Sequence, residues 1–286
     1  MIRKQLLTLW ALFLFASMAI AQDIKPITWK DIPTWKYMPG SAFEISPDGK
    51  WTVYGLVQLE GDGEIILQKV GDESSKKTFK IGSTSYPSMQ FSEDGKWFVY
   101  TEYPTFSEKK ANEKSKGKSL KNKAILVKLG TDEKKEFENV SNYAFNGKAS
   151  SVLAINLSKE GNGDARGSDL LIYHLNSQKA QNLGNVADFS FNKAGNYLAY
   201  TVDAANQSGN GLYLMNVAAN SMQILDSDKA SYRSLAWTEK GDAFAALKMV
   251  KDKKYKQDKG QVIGVKNLAS PQVTVYNPEK DSINFN

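Results

Sequence analysis

Apolar and polar positions along the chain fall into a recurring phrase. Phe43-Glu44-Ile45-Ser46-Pro47-Asp48-Gly49-Lys50-Trp51, followed by Val53-Tyr54, returns as Met89-Gln90-Phe91-Ser92-Glu93-Asp94-Gly95-Lys96-Trp97, followed by Val99-Tyr100. Weaker copies are Tyr143-Ala144-Phe145-Asn146-Gly147-Lys148, Phe189-Ser190-Phe191-Asn192-Lys193-Ala194-Gly195-Asn196-Tyr197 and Leu235-Ala236-Trp237-Thr238-Glu239-Lys240-Gly241-Asp242. With Ile45, Phe91, Phe145, Phe191 and Trp237 as anchors, the intervals are 46, 54, 46 and 46 residues. The long interval holds the lysine-rich stretch 103–123, which reads as an insertion into an otherwise fixed period.

The phrase encodes a hairpin. An apolar anchor ends one strand, Ser or Asn with Asp-Gly forms a tight turn in which glycine takes the positive φ, and an aromatic and β-branched run resumes. The resumed strands are read at 51–57, 97–101, 152–157, 197–202 and 243–250, and third strands at 65–70, 124–129, 170–175 and 212–217. Shorter fourth strands are expected at 78–81, 137–140 and 222–225. The fifth unit allows two assignments. Either 262–265 and 273–276 are its third and fourth strands, matching the spacing of the fourth unit, or 273–276 is the third. Outside the first residues no segment shows sustained helical periodicity.

Four antiparallel strands on a 46-residue period predict an all-β fold, a β-propeller of four-stranded blades with about five blades near 41–82, 83–140, 141–184, 185–226 and 230–277. Ile283-Asn284-Phe285-Asn286 echoes Phe189-Ser190-Phe191-Asn192, the beginning of another unit, and no closing strand is read. The ring is therefore expected to be incomplete, a fragment of a larger one.

Residues 1–21 read as an export signal: Arg3 and Lys4, an apolar run over 6–15, then Ala19-Ile20-Ala21 as a small-residue cleavage site. The run is too short to span a bilayer, so no membrane span is expected after cleavage, and a periplasmic or secreted location follows. The chain has no cysteine, which excludes disulfides and lipidation of a cysteine after the cleavage site. Without Arg3 and Lys4 the basic residues number 35 against 31 acidic, and the only other arginines are Arg166 and Arg233. Lysines without arginine forks form a solvated surface rather than a nucleic-acid reader.

In a four-stranded meander the strand 2–3 and strand 4–1 connections share one side of the disc. The longer loops, 103–123, 158–168 and 251–260, are all of the 2–3 kind, so that side is where a peptide or protein partner is sought. Ahead of the first blade, the aromatic leader 22–40 carries Trp29, Trp35 and Tyr37 and is expected to pack, either as a plug across the propeller or as an arm on a neighbouring domain.

No catalytic residues are assigned. The sequence lacks a Gly-x-Ser-x-Gly elbow, and its single histidine, His174, lies inside a predicted strand. No metal or other cofactor is expected: Glu160-Gly161-Asn162-Gly163-Asp164 lacks calcium-loop spacing. Gly117-Lys118-Ser119 lacks the upstream glycine of a phosphate loop, where Asn112 stands instead. Glu44 and Asp188 are the acidic candidates on the innermost strands, the pair a five-bladed glycosidase would use.

The Ser-Pro-Asp-Gly-Lys-Trp phrase on its 46-residue period, behind an export signal and the leader Ile27-Thr28-Trp29-Lys30-Asp31-Ile32-Pro33-Thr34-Trp35, resembles the N-terminal propeller of exported prolyl oligopeptidase-family serine peptidases. The turn phrase is shared with the Tol-Pal periplasmic propeller. The resemblance implies a propeller that gates access to a C-terminal α/β-hydrolase domain carrying a Ser-Asp-His triad, none of which is in this chain. A stand-alone periplasmic propeller acting as a binding or scaffolding module is the alternative.

Overall fold

The computed structural model describes residues 26–115, 119–159, 165–251 and 258–277. The export segment 1–21, residues 117 and 118, the 160–164 loop, the tip 252–257 and the echo at 283–286 lie outside the described residues.

The first blade is an antiparallel meander of β1 (Phe43–Ile45), β2 (Trp51–Leu56), β3 (Gly63–Lys69) and β4 (Asp72–Gly82). The second has β5 (Met89–Phe91), β6 (Trp97–Glu102), β7 (Asn122–Lys128) and the first half of β8 (Lys134–Phe145). The third takes the rest of β8, then β9 (Val152–Leu157), β10 (Ser168–His174) and the first half of β11 (Ala180–Phe191). The fourth takes the rest of β11, then β12 (Tyr197–Val202), β13 (Gly211–Asn216) and β14 (Ser221–Ser227). The fifth has β15 (Ser231–Trp237), β16 (Ala243–Lys251), β17 (Asp258–Lys266) and β18 (Gln272–Tyr276). Because β17 pairs with both β16 and β18, residues 273–276 lie in the outer, fourth strand.

The fourth strands are longer than their apolar runs suggested. β8 bonds β7 up to Val140 and β9 from there onward, so one unbroken strand is the outer strand of one blade and the inner strand of the next. β11 does the same between the third and fourth blades. At each crossover the register shifts, beside Asn139 (φ 59°) and Asn185 (φ 55°). Asparagine tolerates this left-handed backbone, which turns the strand toward its new partner.

Four buried clusters lie between the five blades, one per seam. In β6, Trp97 and Val99 pack toward the third blade while Phe98 and Tyr100 pack toward the first. A sheet covered on both faces needs apolar residues at successive positions, hence the continuous run Trp97-Phe98-Val99-Tyr100. β2, at the end of the array, alternates instead, with Trp51 and Val53 buried and Thr52 and Tyr54 half-buried. Sheets stacked through their faces, each joined from its outer strand to the inner strand of the next, make a β-propeller. Among the described residues no sheet and no buried cluster joins the first blade to the fifth, so the ring is open.

The recurring turn has a recurring clamp. Ser46 Oγ accepts the Trp51 N–H and Ser92 Oγ the Trp97 N–H, closing each hairpin, and both hydroxyls donate to the turn aspartate. In the third and fourth blades asparagine replaces serine and reaches farther. Asn146 Nδ2 donates to the Gly195 carbonyl and Asn192 Nδ2 to the Gly241 carbonyl, latching each turn to that of the next blade.

Contrary to the expectation of no helix, the 103–123 insertion contains one, α1 (Phe106–Ser115). It has no buried residue, and so no apolar stripe to betray it. A capping box starts it: the Thr105 N–H donates to Glu108 Oε2, and the Glu108 N–H to Thr105 Oγ1.

Residues 26–35 belong to a separate small unit and contain a 3₁₀ turn at Ile32–Thr34. Its Ile27, Trp29, Ile32 and Trp35 side chains are exposed. Tyr37 already belongs to the propeller, exchanging two backbone hydrogen bonds with Val57.

Candidate functional site

The strand 2–3 and 4–1 connections gather on one side of the propeller, and a polar network crosses three blades there. Arg166, in the 2–3 connection of the third blade, donates through Nε to Asp203 Oδ2 at 3.2 Å and through an Nη to the Tyr232 carbonyl at 2.9 Å. Asp203 follows β12 in the fourth blade, and Tyr232 lies near the start of β15 in the fifth. Buried Asn210, just before β13, donates to the Ala230 carbonyl and accepts the Ala204 N–H.

Lys248 continues the network. It sits on β16, where Phe244, Ala246 and Lys248 alternate onto the buried face, and its ammonium meets Asp226 at 2.8 Å and Asp228 at 3.0 Å. Burial pulls the Lys248 ammonium toward neutrality, but the two carboxylates together outweigh it and hold its pKa above the usual lysine value. A lysine held protonated is neither nucleophile nor base. Tyr232, fully buried, donates to Asp226 Oδ2 at 2.5 Å; burial first, and then that bond, hold the phenol well above its ordinary pKa. These groups fasten three blades together rather than carry protons.

Beside Arg166 a cleft of about 500 Å³ opens on the same side. Asn139, Ser158, Lys159, Ser168, Asp169 and Asn185 give it amide, hydroxyl and charged walls. Asn139 and Asn185 are the two crossover asparagines, so the devices that turn β8 and β11 also line the cleft.

The acidic candidates of the inner strands each engage the backbone of the next blade. Glu44 accepts the Phe91 N–H of the second blade; burial raises its pKa, and that hydrogen bond only partly offsets the rise. Asp188 accepts the Leu235 N–H of the fifth blade at 3.5 Å. Gln90 plays the same part toward Phe145. The innermost strand has no neighbour on its axial edge, and side chains of the preceding blade supply acceptors for its unpaired N–H groups. His174 ends β10 on the opposite side of the propeller, where its N–H and carbonyl close the turn to β11 with Lys179 and Gln178.

The network residues Asp203, Asn210, Asp226, Asp228 and Lys248 were not singled out by sequence reasoning. One signal was available: a lysine at the third position of an otherwise apolar alternation in β16. Its partners lie 20 or more residues away, at the end of β14 and just beyond it, with no spacing to announce them.

No protein-family model matches the chain, and no curated protein matches it either. Among solved structures it is similar to the β-propeller domain of the Trilobed protease from Pyrococcus furiosus, with 13% identity over 86% of this chain and 73% of that one, at a TM-score of 0.46. It is similar to the acylaminoacyl peptidase of Pyrococcus horikoshii, with 14% identity over 89% of this chain and 42% of that one, at 0.46. It is also similar to the putative TolB from Agrobacterium tumefaciens, with 11% identity over 84% and 80%, at 0.40. The chain thus spans less than half of the acylaminoacyl peptidase. At these identities the likeness concerns the fold alone.

Proposed function

We propose that the chain is a non-catalytic propeller module that receives a peptide or protein on its loop-bearing side, as the substrate-gating part of an exported prolyl oligopeptidase-like serine peptidase. One observation carries the binding reading. The elaborated connections and the polar cleft share one side, while the ionic network there is held in bonds between blades. The turn phrase and leader support the peptidase context, and residues 1–21 support export.

The test is the coding frame beyond Asn286. The expected result is continuation into a domain with a Gly-x-Ser-x-Gly elbow and a native protein much heavier than 31.8 kDa. A stop codon at that point, with a native mass to match, overturns the peptidase context. For the module itself, capture of unfolded peptides is expected to weaken when Asp169 and Asn185 are both replaced by alanine; undiminished capture overturns the assignment of the cleft.

A further inference from the structure

The two end blades present unlike faces. In each blade one face looks toward the blade before it and the other toward the blade after it. The onward face is built from paired positions on the second and third strands: Val53 opposite Leu67, Val99 opposite Leu126, Ala154 opposite Ile172, and Ala199 opposite Leu214. In the fifth blade the same pair is Ala245 opposite Gly264. Ala243 stands where the hairpin phrase puts Trp51, Trp97 and Tyr197. A leucine or isoleucine ridge has become a trough of about 360 Å³, walled by Lys266, Thr274 and Tyr276.

The backward face of the first blade is the opposite case. Phe43 and Ile45 occupy the positions of Met89 and Phe91 in the second blade and of Tyr143 and Phe145 in the third. Those four are at most 8% exposed, because the preceding blade covers them. Phe43 and Ile45 are 49% and 55% exposed. Tyr54 stands beside them, paired with Phe43.

We infer that the first blade of one copy docks its Phe43, Ile45 and Tyr54 ridge into the Ala243, Ala245 and Gly264 trough on the fifth blade of a second copy, extending the array head to tail. The four internal seams show how such faces meet, each packing the onward face of one blade against the backward face of the next. Among the described residues the backward face of the first blade and the onward face of the fifth have no such partner, and each is the kind of face the other lacks. The contact is heterologous, joining different surfaces of the two copies.

Four strands about 4.8 Å apart and six residues of about 3.4 Å make a face of roughly 400 Å². One seam then buries about 800 Å² in total, at the small end of specific interfaces, so association depends on concentration. This inference rests on the blade faces alone and does not use the cleft.

Sedimentation velocity of the purified protein from about 1 to 200 μM, a range set by the small interface, tests it. The weight-average mass is expected to rise with concentration toward twice the chain mass or beyond. Ile45→Glu spoils only the ridge and Ala245→Glu only the trough, so each variant alone is expected to stay monomeric. An equimolar mixture is expected to associate again through the one intact pair of faces. Phe43→Glu and Thr274→Glu repeat the comparison at the rims of the same faces, should either first variant fail to fold. A single-chain mass at every concentration overturns the inference and leaves the faces to other sheets. Variants that associate as well as the parent, or a mixture that stays monomeric, overturn it equally.

Discussion

Asn192 donates to the carbonyl oxygen of Gly241 at 3.0 Å across the seam between the fourth and fifth blades, while its own Oδ1 accepts the Tyr197 N–H inside its hairpin. One carboxamide thus serves two blades at once. Asn146 repeats the arrangement one blade earlier, with Gly195 at 2.8 Å. The serines at the corresponding places in the first two blades close their own turns, and that division of labour is testable.

Asn192→Ser is expected to keep the hairpin clamp, as Ser92 does, and to lose the bond to Gly241. Leaving that buried carbonyl without a partner costs about 1–2 kcal/mol, and Asn192→Ala, which loses the clamp as well, about 2–3 kcal/mol. Urea unfolding measures both. Equal costs for the two variants would show that the inter-blade bond carries nothing.

Gly195→Ala and Gly49→Ala place the same methyl at the same point of the same turn. At Gly195 (φ 79°) it would stand 1.5 Å from the Asn146 carbonyl oxygen, whereas at Gly49 (φ 70°) nothing lies within 4 Å. Gly49→Ala is expected to cost about 1 kcal/mol for the left-handed backbone alone. Gly195→Ala must also open the seam, at several kcal/mol. Thermal melts of the pair separate backbone strain from the clash.

Glu44→Gln is expected to stabilise the protein at neutral pH. Burial raises the pKa of Glu44 above its ordinary value, so the folded state holds the proton more tightly than the unfolded chain. The stabilising contribution is complete below the ordinary glutamate pKa of 4.5 and is lost as pH rises through the higher folded value. Glutamine keeps an acceptor for the Phe91 N–H without the charge, as Gln90 does for Phe145. The gain is expected at pH 7 and is expected to fade by pH 4, where the carboxyl is largely protonated in both states. A gain that is equal at both values contradicts the electrostatic cause.

Lys248→Met keeps the stem and removes the ammonium from between Asp226 and Asp228. Two carboxylates then face each other beside a buried phenol, and a loss of about 2–3 kcal/mol is expected. Lys248 holds the Asp228 carboxyl below its ordinary pKa. Stability linked to Asp228 is present above pH 3.8 and lost as pH falls through the lower folded value, and this acid limb is expected to flatten in the variant.

Thr105→Ala removes one half of the capping box at the start of α1. Because α1 buries nothing, the change is expected to reduce far-ultraviolet helical signal while moving the melting temperature by less than about 1 °C. A larger shift would mean that the insertion supports the blades.

The blades were legible because their hairpin turn is chemically demanding. Asp-Gly and Asn turns with an apolar anchor before and an aromatic after leave the same mark wherever they occur, so the period appears even in weak copies such as Asn146-Gly147. The through-strands were not legible, since the edges of a polar outer strand are set by hydrogen-bond partners rather than by apolar residues. Helix α1 was hidden for a similar reason, although Thr105 and Glu108 carried its start signal. The network on the loop-bearing side was out of reach because its members meet only through the stacking of blades. Glu44 and Asp188 were recognised as inner-strand acids, but their task emerges only once the next blade is seen to offer an unpaired N–H.

The two crossover strands also set how the molecule comes apart. β8 and β11 run unbroken through the middle, so the second, third and fourth blades hang on two continuous spars. The first blade is tied on by residues 83–88 and the fifth by residues 228–230, neither of them part of a strand. Peeling off either end severs no ladder in the central trio, whereas pulling that trio apart must bend a shared strand sharply or strip it from one of its two neighbours. Permanence is therefore graded along the chain, greatest at its waist and least at its two extremities.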